Sequence, residues 1–430
     1  MRLVYLRINS SFIDIIPIYF YYLIVYNKQI KRKSIAFPDF GVMWGNLMEK
    51  LILLYWGTVL LMYLSQNVYP VDLNYIARQN GKNNYIWRKS DVYMVIIIVW
   101  MTCFSFLRTK YNDTGNYIGG FLSAQSVEEG FANGTFTDWS GNPLSMLYRS
   151  VIREITDNYH IYFFFPAFIS SFAVVKLCKN FSVNPAFSLV VFYSIGTYVM
   201  YIAALKQCLA MFFLLMALPY ALEKKYVKFY ILTFVAVLFH THAFMFFIIP
   251  LLTRKPWSKV TWIMLGCVLF AMATYKVTLG AFMEYAQSLG AFVAEDEVFD
   301  GHQINVIRVL VYWVPAVFSF IFREKLFSDS SKTEDLFANI SITSALILTI
   351  GLVEGANLYA RMAGYFEIAT AITLPWMITK LFSKQSVRFV FVIAMALYFG
   401  YFFYEFAVVK DFGNNYAAIS LREFLANLFN

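Results

Sequence analysis

Apolar blocks of about 15 to 25 residues recur along this chain, each long enough to cross a hydrocarbon layer of about 30 Å. Such blocks predict transmembrane helices. The fold class that follows is all-α, a polytopic integral membrane protein. Candidate spans are 49–66, 91–107, 160–178, 186–204, 207–222, 260–279, 306–322, 337–353, 362–382 and 388–405, and the expected total is about 10–12 helices. Only 14% of the residues are charged, against roughly 25% in soluble domains, so an ordinary soluble protein is excluded. No long polar linker divides the chain.

The block 229–252 is apolar but broken at Phe239-His240-Thr241-His242. It lies between two short basic loops, 223–228 and 253–259, and basic loops belong on the cytoplasmic side. Both can lie inside only if 229–252 enters and returns on one side, as a re-entrant helical hairpin with its tip near the histidines. A single 24-residue span is the plainer alternative. Irregular backbone at that depth is tolerated where protein or a water-filled cavity surrounds it. With the hairpin in place, loops 67–90, 323–336 and 383–388 fall inside. Loops 108–159, 280–305 and 354–361 fall outside, the second carrying Glu284, Glu295, Asp296, Glu297 and Asp300.

The formal net charge is +9, and much of the excess sits in short loops between apolar blocks. That placement reads as topology beside an anionic bilayer, with no nucleic-acid partner. Cys103, Cys178, Cys208 and Cys267 lie within or at the ends of apolar blocks and form no CxxC pair, so neither a zinc site nor a disulfide framework is indicated. Three regions follow. Residues 1–42 are an N-terminal extension with a short apolar segment at 12–26, residues 43–410 form the transmembrane domain, and residues 411–430 form a tail. Leu421, Phe424, Leu425 and Leu428 recur in that tail at helical spacing, which predicts an amphipathic helix on the membrane.

Polar residues converge at one end of the spans. Arg108, Asp113, Lys206, His240, His242 and Arg361 each sit at or just inside an expected outer boundary. Ionisable groups at membrane depth are costly, and they line cavities or pair with one another. Cations with an acid/base group beside them suit an anionic, membrane-delivered substrate, and diphosphate fits because Arg holds phosphate oxygens in a fork. Each residue also has a structural reading. Arg108 and Lys206 can snorkel to the interface, Arg361 can anchor it beside Tyr359, Asp113 can stabilise a turn, the histidines can be packing residues, and Glu128 and Glu129 can start a helix. No nucleotide-binding loop, GxSxG or HExxH motif is present, and no metal or cofactor is implied.

Four segments resemble the EpsG-like family of Wzy-type bacterial polysaccharide polymerases, over roughly residues 95 to 380. Phe106-Leu107-Arg108 with Asp113 and Tyr117 resembles the family's Arg…Gly-x-Asp-x-x-x-Tyr segment. Glu129-Gly130-Phe131 resembles its acidic-x-Gly-aromatic element. Ala204-Leu205-Lys206-Gln207, the basic Leu222-Glu223-Lys224-Lys225, and Phe239-His240-Thr241-His242-Ala243 resemble its Arg-Gln…basic…Phe-His-x-Ser-Ala block. Tyr359-Ala360-Arg361 with Tyr365-Phe366 and Pro375 resembles its late Arg…Tyr-Phe…Pro block. The chain departs from that pattern in four places, the first being an Arg108-to-Asp113 spacing one residue shorter than the family's. Lys206 stands where the family usually has Arg, Asn112 occupies the area of its Gly, and His242 replaces a Ser.

The resemblance implies an architecture similar to polyprenol-dependent membrane glycosyltransferases. It implies a polysaccharide polymerase in the bacterial plasma membrane, active on the extracytoplasmic side, that joins oligosaccharide units of an exopolysaccharide, capsule or O-antigen. Donor and acceptor would both be polyprenyl-diphosphate-linked oligosaccharides, with a chain-length regulator and other assembly proteins as partners and no cofactor. His240 and Asp113 would be the catalytic acid/base candidates. Arg108, Tyr117, Lys206, Gln207, His242, Arg361 and Tyr365 would bind substrate. Two enzyme alternatives are a glycan ligase built on the same groove and a membrane O-acyltransferase with an intramembrane His. The alternative of another class is a lipid-linked oligosaccharide transporter, which should carry broken helices in matching halves. The sequence shows one strongly broken segment, at 229–252.

Overall fold

The computed structural model describes residues 89–138, 142–277, 280–281 and 301–429. The extension 1–42, the first expected span 49–66 and the acidic residues of loop 280–305 lie outside those residues. The described chain is an all-α membrane protein with one two-stranded antiparallel ladder. The elements used below are α1 Lys89–Phe106, β1 Arg108–Lys110, α2 Thr114–Leu122, α3 Val127–Ala132, α4 Pro143–Ile155, α5 Tyr159–Phe181, α6 Pro185–Ser194, α7 Thr197–Ala203 and α8 Leu205–Leu222. They continue with α9 Tyr226–Phe239, a 3-10 helix at Thr241–Thr253, α10 Lys259–Ala273, α11 Val306–Ile321, α12 Lys332–Ile350, α13 Ala356–Gly364, α14 Ile368–Leu381, α15 Val387–Phe403, β2 Ala417–Ala418 and α16 Leu421–Phe429.

Among the described residues four helices reach spanning length: α5, α8, α12, and α15 with its π-helical continuation to Val409. The pair α6–α7 makes a fifth, bent by 60°. Six further apolar helices run 10–17 residues. The expected span 49–66 lies outside these residues, and two of the apolar blocks are cut internally. Block 362–382 is cut at Tyr365-Phe366-Glu367, between α13 and α14. Block 186–204 is cut at Gly196, which adopts φ 86. A Cβ there would stand 2.7 Å from the Phe406 ring, so only glycine fits this bend. The break at Gly196 is a second broken segment, beyond the one visible in sequence.

The block 229–252 folds back on itself. His240 takes an extended conformation between α9 and the 3-10 helix. The Phe229 ring then lies 6.4 Å from Phe246, and Tyr230 lies 5.7 Å from Phe247, so the two arms run side by side. The second arm holds 3-10 geometry for 13 residues, far beyond the usual three or four. Its buried residues are Ala243, Phe246, Ile249 and Leu252, one at every third position, which is the 3-10 repeat. Asn339 of α12 closes its far end, with Nδ2 donating to the carbonyls of Leu252 at 2.8 Å and Arg254 at 2.7 Å.

The inner helices α6, α12 and α14 bury most of their residues, and in α12 these include Asp335, Asn339 and Thr343, which recur on one face. Outer faces remain apolar and exposed, as at Ile263 and Phe270 of α10 and Phe389 and Leu397 of α15, where lipid would cover them. At one end of the bundle the loop cations are tied down. Lys255 donates to Ser330 Oγ at 2.7 Å and to the Phe327 carbonyl at 3.1 Å. Lys325 donates to the Leu381 carbonyl at 2.9 Å, and Lys380 pairs with Asp329. The hairpin tip and the start of α8 mark the opposite end. The tail returns to that opposite end: β2 pairs with β1, and Tyr416 stacks 4.6 Å from Phe104. Phe424 is buried against Phe106 at 5.1 Å, so α16 is fastened to the bundle, while Leu421, Leu425 and Leu428 stay exposed.

Candidate active site

Arg108, the first residue of β1 just after α1, is turned inward. Its Nη1 donates to the Ser105 carbonyl at 2.5 Å, and its Nε donates to Thr114 Oγ1 at 3.2 Å. The guanidinium stacks 4.1 Å over the Phe163 ring. Arg108 is only 2% exposed, and among the described residues its partners are neutral. It therefore fixes the turn 105–114 and lends its charge from behind the site. Within that turn Asn112 takes φ 43, a left-handed conformation that Asn tolerates better than most residues. Asp113 is the N-cap residue of α2. Its side chain makes no cap bond and is half-buried, while its carbonyl accepts the Tyr117 N–H at 3.0 Å.

Tyr117 joins the loop 108–159 to the start of α8. A backbone hydrogen bond from Lys206 meets its phenol, and the charges of Asp113, Arg108 and Arg361 all act on it. Burial first, and the Asp113 carboxylate second, push the Tyr117 hydroxyl up to about 12, so it stays protonated near neutral pH. Lys206 and Gln207 lie in the first turn of α8. Gln207 is 1% exposed, and its Nε2 donates to the Arg361 carbonyl at 2.8 Å. Its amide oxygen has no partner among the described residues.

The hairpin tip completes the group. Tyr365, fully buried after the end of α13, places its hydroxyl 2.6 Å from His240 Nδ1. The His242 ring stands 5.1 Å from the His240 ring. His242, Arg361 and Lys206 are the basic neighbours that act on His240. All nine site residues expected from the sequence thus lie in one linked neighbourhood, drawn from β1, the start of α2, α8, the hairpin tip, α13 and the residue after it. Within it Arg108 is enclosed, whereas Asp113, Tyr117, Lys206, His240, His242 and Arg361 are half-exposed. The arrangement combines cations with a histidine whose ring is oriented by a phenol, and this can hold an anion beside a proton acceptor.

Several contributors escape the sequence reading. Asn142, in the left-handed region at φ 60, starts α4 and accepts from Thr241 N at 2.8 Å, tying the loop 108–159 to the hairpin tip. Arg149 of α4 acts on Lys206. Glu367, fully buried, accepts from Arg308 at 2.9 Å and from Thr197 at 3.1 Å, just behind Tyr365. Arg308 and Glu367 lie within expected spans, and a charge inside an apolar block is the signal that would have found them. Conversely, Glu129 completes a capping box with Ser126. A Cβ on Gly130 would stand 2.3 Å from the Phe136 ring. That motif builds the loop 108–159 and contributes no group to the site.

Residues 91–420 match the EpsG family. No curated protein and no solved structure matches the chain.

Proposed function

The chain belongs to the EpsG family, and from that membership we propose that it is a polysaccharide polymerase that transfers polyprenyl-diphosphate-linked oligosaccharide units onto one another at the extracytoplasmic face of the bacterial plasma membrane. The observation that carries this reading is the His240–Tyr365 pair, set beside Lys206 and Arg361 at the end of the bundle opposite the basic loops. By the positive-inside rule those loops are cytoplasmic, so the site faces outward.

In the proposed reaction an acceptor hydroxyl attacks the anomeric carbon of the donor. The new C–O bond forms as the bond to the diphosphate breaks, and that electron pair leaves with polyprenyl diphosphate. Lys206 and Arg361 stabilise the charge developing on the leaving group. His240 takes the acceptor proton on Nε2. This role requires the tautomer in which Nδ1–H donates to the Tyr365 oxygen, leaving Nε2 free to accept. Asp113 is the second candidate base. Tyr117, His242 and the unpartnered Gln207 oxygen line the position of the sugar. Arg108 supports the turn that carries Asp113.

The test is glycan length in cells carrying His240→Ala or Arg361→Ala, with insertion checked by blot. Single units that are exported but unjoined on the lipid carrier support polymerisation. Units retained on the inner leaflet point to a transporter, and long polymer in both variants overturns the site.

A further inference from the structure

Arg149 projects from α4, a helix of the outer loop that the sequence leaves unremarkable. α4 is fastened on both sides of it. Its N-cap Asn142 holds Thr241 at the hairpin tip, and the Tyr148 hydroxyl donates to the Tyr162 carbonyl at 2.6 Å. Arg149 Nη1 lies against α2, 2.8 Å from where a Cβ on Gly120 would stand. The guanidinium thus fills the space that this glycine leaves open. Its Nε is shielded from solvent and has no acceptor among the described residues. The charged group that acts on Lys206 is Arg149, another cation. No carboxylate forms an ion pair with either residue among the described residues. Gly120 lies one turn from Tyr117, whose phenol takes the backbone hydrogen bond of Lys206, so α2 brings Arg149 of α4 and Lys206 of α8 to one place. Two like charges and an unmatched N–H there form an arrangement that an anion completes. Lys supplies a point charge and Arg a planar fork, the pairing that suits phosphate oxygens. The neighbouring guanidinium, Arg153, shows the contrast: it is paired with Asp157 one turn away.

We infer that Arg149 and Lys206 form an oxyanion subsite in which Arg149 grips the phosphate or carboxylate oxygens of the substrate. This rests on the polymerase reading for the identity of the ligand, and its chemistry fits either the diphosphate of the lipid carrier or an acidic sugar of the glycan.

The experiment uses the full chain in nanodiscs and measures binding of three probes: polyprenyl diphosphate, neutral polyprenol and a hexuronate-containing oligosaccharide. Loss of one charge-assisted hydrogen bond predicts about tenfold weaker binding for Arg149→Ala. Arg149→Lys should recover part of the affinity, Gly120→Ala should mimic the loss by pushing the guanidinium aside, and Arg153→Ala should match the wild type. An Arg149-dependent effect on polyprenyl diphosphate alone supports the subsite and the lipid carrier as its source. An Arg149-dependent effect on the acidic oligosaccharide alone supports the subsite with the glycan as source. If the wild type binds no polyprenyl diphosphate, the polymerase reading fails, and the oligosaccharide arm still decides the subsite. If Arg149→Ala binds both charged probes as the wild type does, or binds neutral polyprenol equally weakened, the inference is overturned.

Discussion

Tyr365 and His240 are 125 residues apart in sequence, yet the phenol oxygen stands 2.6 Å from Nδ1 of the imidazole. The contact exists because two helix breaks meet. His240 ends α9 in an extended conformation, and Tyr365 follows the end of α13. The hydrogen bond engages Nδ1 and leaves Nε2 outside this contact. Tyr365→Phe keeps the packing and removes the bond. Turnover should fall roughly tenfold, the effect of about 1–2 kcal/mol. His240→Ala should cost more, on the order of 10²–10⁴ if it removes a general base. The check is in vitro polymerisation with both variants at equal reconstituted amounts. Equal rates for Tyr365→Phe and wild type would reduce the contact to packing.

The hairpin predicts sidedness. If 229–252 enters and returns, residues 225 and 255 share a side and residue 241 lies on the other. A single span would separate 225 from 255. Cysteines introduced one at a time at Lys225, Thr241 and Lys255, in a background without Cys267, should be labelled by an impermeant maleimide accordingly. Labelling of 225 and 255 from opposite sides would exclude the hairpin.

What the sequence made visible was whatever has a direct physical signal. Apolar length marks the helices. Ionisable residues at the ends of apolar blocks mark the site, because burying them unpaired is costly. The broken hairpin showed itself through two histidines and two basic loops. The rest lacked such signals. The 3-10 arm is apolar at nearly every position, so its three-residue burial repeat cannot be seen against a uniform background. The bend at Gly196 is written only as one glycine in an apolar run, and its necessity comes from Phe406, 210 positions further on. Arg149 sits in a polar loop, where an arginine is ordinary. The bond between Tyr365 and His240 is a tertiary fact with no local cause.

Gly196→Ala tests the bend. The substitution forces a residue with a Cβ to φ 86 and drives that Cβ into the Phe406 ring. The conformational strain alone is about 1–2 kcal/mol. The variant should melt several degrees lower in detergent by tryptophan or thiol-reactive fluorescence. Gly196→Ala combined with Phe406→Leu should regain part of the loss, because the ring atoms are then withdrawn. No change in the single variant would mean that α6 and α7 are one continuous span.

Behind the site, Arg308 and Glu367 pair at 2.9 Å, with side chains 14% and 0% exposed. The second carboxylate oxygen accepts from Thr197, so the acid bridges α11 to the start of α7. Glu367 is also two residues from Tyr365, and this bridge anchors the chain just beyond the phenol. Removing one partner leaves a charge buried without its counter-ion, a loss of about 3–5 kcal/mol. Arg308→Met and Glu367→Leu should each lower the melting temperature strongly, whereas the double variant should lie closer to wild type, because an apolar pair fills the same space without an unmatched charge. Activity separates two roles. If the pair only stabilises, the double variant should polymerise normally once folded. If it also positions Tyr365, the double variant should fold and still lose turnover in proportion to Tyr365→Phe, and adding Tyr365→Phe to it should cause little further loss.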